Sequence, residues 1–314
     1  MVSVKEKHRG EKRYLYAERS IRLPDGTVKK FSKLIHERDE AGSKMVADHF
    51  KKQELEAYRH AALATYRPDH ILTKEKLAKV ETYRAEYRIL IRALTPQQRK
   101  DLIDRFTVNF TYESNALEGN SLTLKDVAVV LMEERVPAGK ELREVFETRN
   151  TREANELLFK KKIKIDIPEI VKLHALLTKE TGVARGFKRF PNFLLMRDVQ
   201  TTPPEKVEDE MRALVARYQE SDDHPLRAAA EFHARFERIH PFEDGNGRVG
   251  RVLLNAILLE NGYPPLIIRK TSRNAYLSAL AAHDNNHADK LERFLLEKYE
   301  ATFEKFFKIY TEYL

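Results

Sequence analysis

Cysteine is absent from all 314 residues. That excludes disulfides, thiolate nucleophiles and cysteine-type zinc sites, and it fits a reducing, cytoplasmic setting. No apolar run approaches the roughly 20 residues that span a bilayer, and the opening "MVSVKEKHRGEKRY" is charged from its fifth residue, so neither a membrane segment nor an export signal is expected. No internal repeat or low-complexity segment stands out. Glycine is scarce, 11 residues in all, yet three of them fall between His240 and Arg251. Any chemistry must come from histidine, carboxylate, hydroxyl, lysine or arginine.

Charge is plentiful but uneven. The formal net charge is +8, and residues 1–60 hold 15 Lys/Arg against 10 Asp/Glu, leaving +3 for the other 254 residues. A basic segment can engage nucleic acid or acidic partners. Helix-turn-helix, zinc-finger and RNA-binding signatures are missing, so the bare charge reads as a solvated face and no nucleic-acid partner is expected.

The residues "RYLYAERSIRLPDGTVKKFSKLI" alternate in character on both sides of Pro24-Asp25-Gly26, which predicts a β-hairpin. Patterns of helical period follow over 43–65, 74–94, 96–115 and 124–134, then 167–178, 207–220, 226–239, 247–261, 272–283 and 289–313. The pattern breaks at "KKKIKIDIPEI" and again through "GFKRFPNFLLMRDVQTTPPEKV", which reads as an exposed hairpin or loop. The expected fold class is mainly α. Three regions are expected: an N-terminal hairpin and helix over 1–70, a helical region over 71–165, and a helical core with a C-terminal helix over 166–314. Phe303, Phe306, Phe307, Tyr310 and Leu314 form a stripe on the last helix that could pack within the chain or across a homodimer; packing within the chain is the expectation.

The stretch "IHPFEDGNGRVGRVLL", Ile239 to Leu254, joins two apolar helical patterns. Gly245 and Gly247 would let backbone N–H groups turn toward an anion at the start of the second helix, where free donors and the helix dipole favour negative charge. Asp244 could carry a magnesium ion bridging phosphates, and Arg248 and Arg251, three apart, could clamp phosphate oxygens. The competing reading is a helix connection whose charges face water.

"HPFEDGNGR", His240 to Arg248, resembles the complete signature of the Fic family, His-Pro-Phe-x-Asp/Glu-Gly-Asn-Gly/Lys-Arg, and the similarity extends over roughly 167–296. The resemblance implies a Fic-type helical core beside a small β-hairpin flap formed by "RGFKR…TTPPEKV". It also implies transfer of AMP from ATP to a Ser, Thr or Tyr hydroxyl of a target protein or of the chain itself. On the matching positions, His240 would be the general base and Asp244 the ligand of Mg²⁺ (or Mn²⁺). Asn246 would bond the α-phosphate, with Gly245 and Gly247 completing the anion pocket, and Glu243 occupies the wildcard. Arg248 would stabilise the departing pyrophosphate and Arg251 would bind the γ-phosphate. Tyr276 lies in the segment that resembles the base side of the pocket; a buried core tyrosine explains it about as well.

A second stretch, "SNALEGN", reads on its own as a helix end with a glycine cap. It also resembles the family's inhibitory motif, with Ser114, Glu118 and Gly119 on its fixed positions. The resemblance implies that Glu118 pairs with Arg251 and bars the productive pose of ATP. In an animal branch of the family, similar around "NGYPPLIIRK", the same glutamate supports removal of AMP. A de-AMPylase, a bifunctional AMP cycler and a nucleotide-sensing binding module therefore stand as alternatives.

Overall fold

The structure is a computed structural model and describes residues 2–23, 26–192, 194 and 200–311. The chain is mainly α, with one three-stranded antiparallel sheet, and it divides into two compact units, Met1–Ala93 and Leu94–Leu314. The expected region bounds at 70/71 and 165/166 fall within these units. Helix α2 (Lys74–Ala93) packs on α1 (Lys44–Thr65) inside the first unit, and the lysine-rich break at 160–166 buries Ile163 and Ile165 inside the second.

In the first unit, β2 (Lys12–Arg22) and β3 (Val28–Ile35) form the expected hairpin, in register from Arg22↔Val28 to Leu15↔Ile35. A further strand, β1 (Ser3–Arg9), pairs with the other edge of β2. It escapes sequence reading because "SVKEKHR" offers Val4 as its one apolar residue that packs on the core, too little for an alternating signal. Ala17, Ile21, Phe31 and Ile35 point to one side and are buried with Val46, Phe50 and Tyr58 of α1.

The second unit runs α3 (Pro96–Leu117), α4 (Leu124–Met132), α5 (Leu142–Phe159), α6 (Ile167–Leu177), α7 (Val207–Gln219), α8 (Pro225–Ile239), α9 (Asn246–Glu260), α10 (Arg273–Asp284), α11 (Ala288–Thr302) and α12 (Lys308–Thr311). Starts are written in local chemistry: Thr95 with Gln98, and Thr123 with Asp126, close capping boxes, and Asp166 accepts from the Glu169 N–H. Helix α5 is absent from the sequence reading because the face it buries is mixed, with Val145, Ala154 and Leu158 interrupted by polar residues. Thr148, Asn150, Thr151 and Asn155 are all buried. Asn150 Nδ2 donates to the Lys179 carbonyl at 2.7 Å and Thr151 Oγ1 to Asn115 Oδ1 at 3.2 Å. Hydrogen bonds do there what an apolar stripe does elsewhere.

Helix α9 is the axis of the unit, buried continuously from Arg248 to Leu259, with α5 and α8 among its neighbours. The C-terminal helix is not one α-helix to its end: Phe303–Phe307 makes a π-helical turn. That turn brings Phe306 and Phe307 together against Phe106, at 5.7 and 6.0 Å between ring centres, so the stripe does pack within the chain as far as Tyr310. Leu314 lies outside the described residues, as do 193 and 195–199, the middle of the expected flap hairpin. Among the described residues no helix is long and apolar enough to cross a membrane.

Candidate active site

Helix α8 ends at His240, which takes a left-handed conformation (φ 51°, ψ 61°) while its N–H still bonds the Phe236 carbonyl at 2.9 Å. A non-glycine residue held there is uncommon and marks a constrained site. The chain then turns through Pro241 to Asp244 and enters α9 at Gly245 (φ 82°). The loop is held from several sides. Asn246 accepts from the Phe242 N–H at 2.9 Å and donates to the Phe242 carbonyl at 2.8 Å. His174 of α6 stacks on Phe242 at 3.8 Å and lies 3.1 Å from the Asp244 carbonyl through Nε2. Burial pushes the His174 pKa down to about 4, so the ring is neutral near pH 7 and donates through Nε2–H.

Lys188 ties the base of the flap segment to the same loop. Its N–H bonds the Pro241 carbonyl at 2.9 Å, and its Nζ donates to Asn192 Oδ1 (2.8 Å), Thr201 Oγ1 (3.0 Å) and the Ile239 carbonyl (3.3 Å). The side chain is buried, and burial lowers its pKa from 10.5 to about 8. In the folded state the proton is thus held less tightly than in the unfolded chain. The destabilisation is complete below pH 8 and is relieved as pH rises toward 10.5. A urea titration series should therefore show wild type gaining on Lys188→Met between pH 8 and 10; parallel pH profiles would mean that the ammonium is not buried as described.

The phosphate-binding candidates are brought together at the start of α9. Arg248 is 2% exposed; its Nη1 faces Glu147 Oε1 at 3.4 Å and its Nη2 faces Asp244 Oδ1 at 3.8 Å. Its Nε and Nη1 make no hydrogen bond among the described residues, so a buried guanidinium keeps donors for an anion. Arg251 is buried as well, but fully engaged: Nε donates to Ser114 Oγ at 2.9 Å, and Nη2 to the Ser114 carbonyl at 2.9 Å and to Glu118 Oε1 at 2.7 Å. Gly247 shows how close the glutamate comes. A Cβ built there would overlap Glu118 Oε1, so the carboxylate packs against the backbone of the first turn of α9 and only glycine fits beneath it.

Helix α3 delivers that carboxylate with a defined ending. Glu118 is its C-cap and Gly119 follows at φ 98°. The Gly119 N–H bonds the Ala116 carbonyl at 3.2 Å and the Asn120 N–H bonds the Asn115 carbonyl at 3.1 Å, a Schellman closure. "SNALEGN" is thus a glycine-capped helix end whose acid pairs with Arg251.

Asp244 is half-exposed, accepts from the Gly245 N–H at 2.5 Å, and pairs with Arg143 Nη2 at 2.5 Å. Arg143 also reaches Glu147 Oε1 at 3.3 Å, and Asn120 Nδ2 donates to Glu147 Oε2 at 3.0 Å. Arg143, Glu147, His174 and Lys188 were all missed in the sequence. The first two sit on the unread helix α5, His174 lies outside any motif, and Lys188 lies in the "RGFKR" stretch, which the sequence marks as an exposed loop with no role for the lysine. Glu243 is exposed, as a wildcard position allows.

His240, Glu118, Gly247, Arg251 and Tyr276 line one cleft of about 230 Å³. Tyr276 is 3% exposed, its hydroxyl lies 2.6 Å from His233 Nε2, and burial raises its pKa. It is a buried wall of the cleft, which is compatible with both readings given to it. A larger open groove of about 1140 Å³ runs beside α7 and Thr201–Pro203, but neither His240 nor the α9 amides line it. No cluster of three or more metal-ligating side chains exists among the described residues. Asp244 alone still fits a magnesium ion, which takes one or two carboxylates and completes its shell with water and phosphate oxygens.

Residues 164–258 match the Fic/DOC family. The chain is 31% identical over 225 residues to the protein adenylyltransferase Fic of Nematostella vectensis, covering 69% of this chain and 52% of that protein. It is 28% identical over 206 residues to protein adenylyltransferase fic-1 of Caenorhabditis elegans, covering 63% and 40%. The chain thus spans about half or less of the length of these relatives. Among solved structures, a Fic domain containing signaling protein from Bacteroides thetaiotaomicron superposes with a TM-score of 0.67 at 26% identity, over 74% of this chain and 97% of that one. A Fic family protein from Desulfovibrio desulfuricans gives 0.63 at 25% identity, over 79% and 78%.

Proposed function

Because the chain carries a Fic-family domain, we propose that it is a protein adenylyltransferase held in check by its own Glu118. One observation carries the reading: His240, Gly247 and Arg251 line one cleft at the start of α9, and the Glu118 carboxylate reaches into that cleft and pairs with Arg251.

With ATP bound, the triphosphate takes the place of the Glu118 carboxylate. Arg248 lies against its outer oxygens and Arg251, released from Glu118, binds the γ-phosphate. His240 accepts the proton of a target Ser, Thr or Tyr hydroxyl. The hydroxyl oxygen forms a bond to the α-phosphorus, the bond from that phosphorus to the bridging oxygen breaks, and pyrophosphate leaves with the electron pair. The products are the AMP ester, pyrophosphate and a protonated His240. Asp244 would hold Mg²⁺, which supplies charge neutralisation along the phosphates when bound; Arg143 must first give up the carboxylate. Asn246 shapes the loop through its two bonds to Phe242, and the second N–H of its side-chain amide serves the α-phosphate. Phosphoryl-type transfer needs little beyond this positioning and charge compensation.

The test uses Glu118→Gly with ATP labelled at either the α- or the γ-phosphate, with magnesium and a protein extract. Label that survives denaturation from the α position and not from the γ position is the expected result, abolished by EDTA. Retention of γ label would indicate kinase chemistry, and no retained label from either would overturn the proposal.

A further inference from the structure

The first unit carries a face that the adenylyl-transfer site does not use. Pairing Lys5↔Tyr16, Lys7↔Tyr14 and Arg9↔Lys12 in one ladder, and Arg22↔Val28 and Ser20↔Lys30 in the other, places these residues together on the side of the sheet opposite α1. Six cations lie there: Lys5, Lys7, Arg9, Lys12, Arg22 and Lys30, all exposed. The single acid among the described residues of this face, Glu18, is sunk beneath Lys5, Lys7 and Lys30 at 3.7, 3.0 and 2.6 Å. Its pKa is held down to about 2 by Lys30 and Lys7, so it stays ionised and fixes three ammonium groups over the middle of the face. Residues 1–60 hold 15 Lys/Arg and 10 Asp/Glu, and among the described residues this face takes six of the former and one of the latter, so the basic excess of the N-terminal region gathers on one side of one sheet. Tyr14 and Tyr16 stand among the cations, Lys7 Nζ lying 4.7 Å from the centre of the Tyr16 ring.

We propose that this sheet face docks on duplex DNA. The dimensions favour it: a DNA major groove about 12 Å wide admits a two-stranded ribbon, and the β1–β2 ribbon carries Lys5, Lys7, Arg9, Lys12 and Arg22, leaving only Lys30 of the six cations on β3. The deep, narrow major groove of duplex RNA does not admit side chains to its base edges. The hairpin tip, Arg9–Lys12, and Arg22 at the far end of β2 would contact phosphates, and Tyr14 and Tyr16 present hydroxyls between them. Missing helical and zinc-finger signatures do not weigh against a sheet that reads DNA, since such a sheet carries neither.

The test is fluorescence anisotropy with the full chain, a labelled 20-base-pair DNA duplex and the matching RNA duplex, at 50 and 200 mM salt. Binding to DNA is expected, weakening by roughly 10²-fold or more between the two salts if about four to six phosphates are neutralised. The double reversal Arg9→Glu/Lys12→Glu should cost at least tenfold. Lys51→Glu/Lys52→Glu, the same charge change on α1, should cost no more than about threefold. Thermal melts confirm that both variants fold. Equal losses from the two doubles, RNA bound as tightly as DNA, displacement by polyglutamate of matched charge, or no DNA binding at 50 mM salt would each overturn the proposal. Because the readout is binding by the first unit, it is independent of whether the adenylyl-transfer reading holds.

Discussion

Glu118→Gly should convert a nearly silent protein into one that labels itself or others from α-labelled ATP. The carboxylate makes two kinds of obstruction: it occupies the space over Gly247, and it holds Arg251 at 2.7 Å. A charge-assisted hydrogen bond contributes about 1.5–3 kcal/mol net, so its loss should raise transfer roughly 10- to 150-fold. Glu118 is 43% exposed, so solvent screening places the expected gain toward the lower end. The fold should barely notice, because Gly119 and not Glu118 supplies the left-handed residue that closes α3. Arg251→Ala breaks the same pair and should give no activation, since it also deletes the γ-phosphate partner and strips Ser114 of two hydrogen bonds. A general loosening would activate both variants alike, and that result would sink the gate. If Glu118→Gly binds ATP but stays silent, an assay on pre-AMPylated protein decides between the two alternatives, AMP removal and nucleotide sensing.

How far the site could be read in advance depended on where its energy lies. His240 to Arg251 was legible because loop chemistry there needs particular residue types at adjacent positions. Glu118 was legible through its cap: a glycine at a helix end is a local signal, although its meeting with Arg251, 133 residues on, is not. Helix α5 was illegible for the opposite reason. Its buried face mixes Thr and Asn with Val145, Ala154 and Leu158; Asn150 and Thr151 find partners in the segment after α6 and in α3, and no periodicity in a single sequence announces partners that far away. With α5 went Arg143 and Glu147, which hold Asp244 and Arg248 in the resting state. Lys188 reads as one more surface lysine in a basic chain; only the fold reveals that it is buried on the loop that carries His240. The N-terminal charge excess was visible as a number and mute as a surface until the strand register sorted six cations onto one face.

Replacing His240 in the Glu118→Gly background should lower transfer by about 10² to 10⁴, the usual contribution of a general base, while ATP binding persists. The phosphate contacts assigned to Arg248, Arg251 and the α9 amides do not involve the imidazole, so substrate affinity and rate should separate. Backbone conformation complicates the simplest variant, because His240 sits at φ 51° and alanine tolerates the left-handed region poorly. His240→Asn is the better partner experiment: asparagine accepts that conformation more readily and cannot act as a base near neutral pH. If alanine fails and asparagine restores the rate, the role of His240 is to shape the end of α8. If both fail while calorimetry still shows ATP binding, the imidazole is the base. Transfer at the parent rate by both variants would remove His240 from the mechanism, and with it the assignment of which cleft wall faces the target hydroxyl.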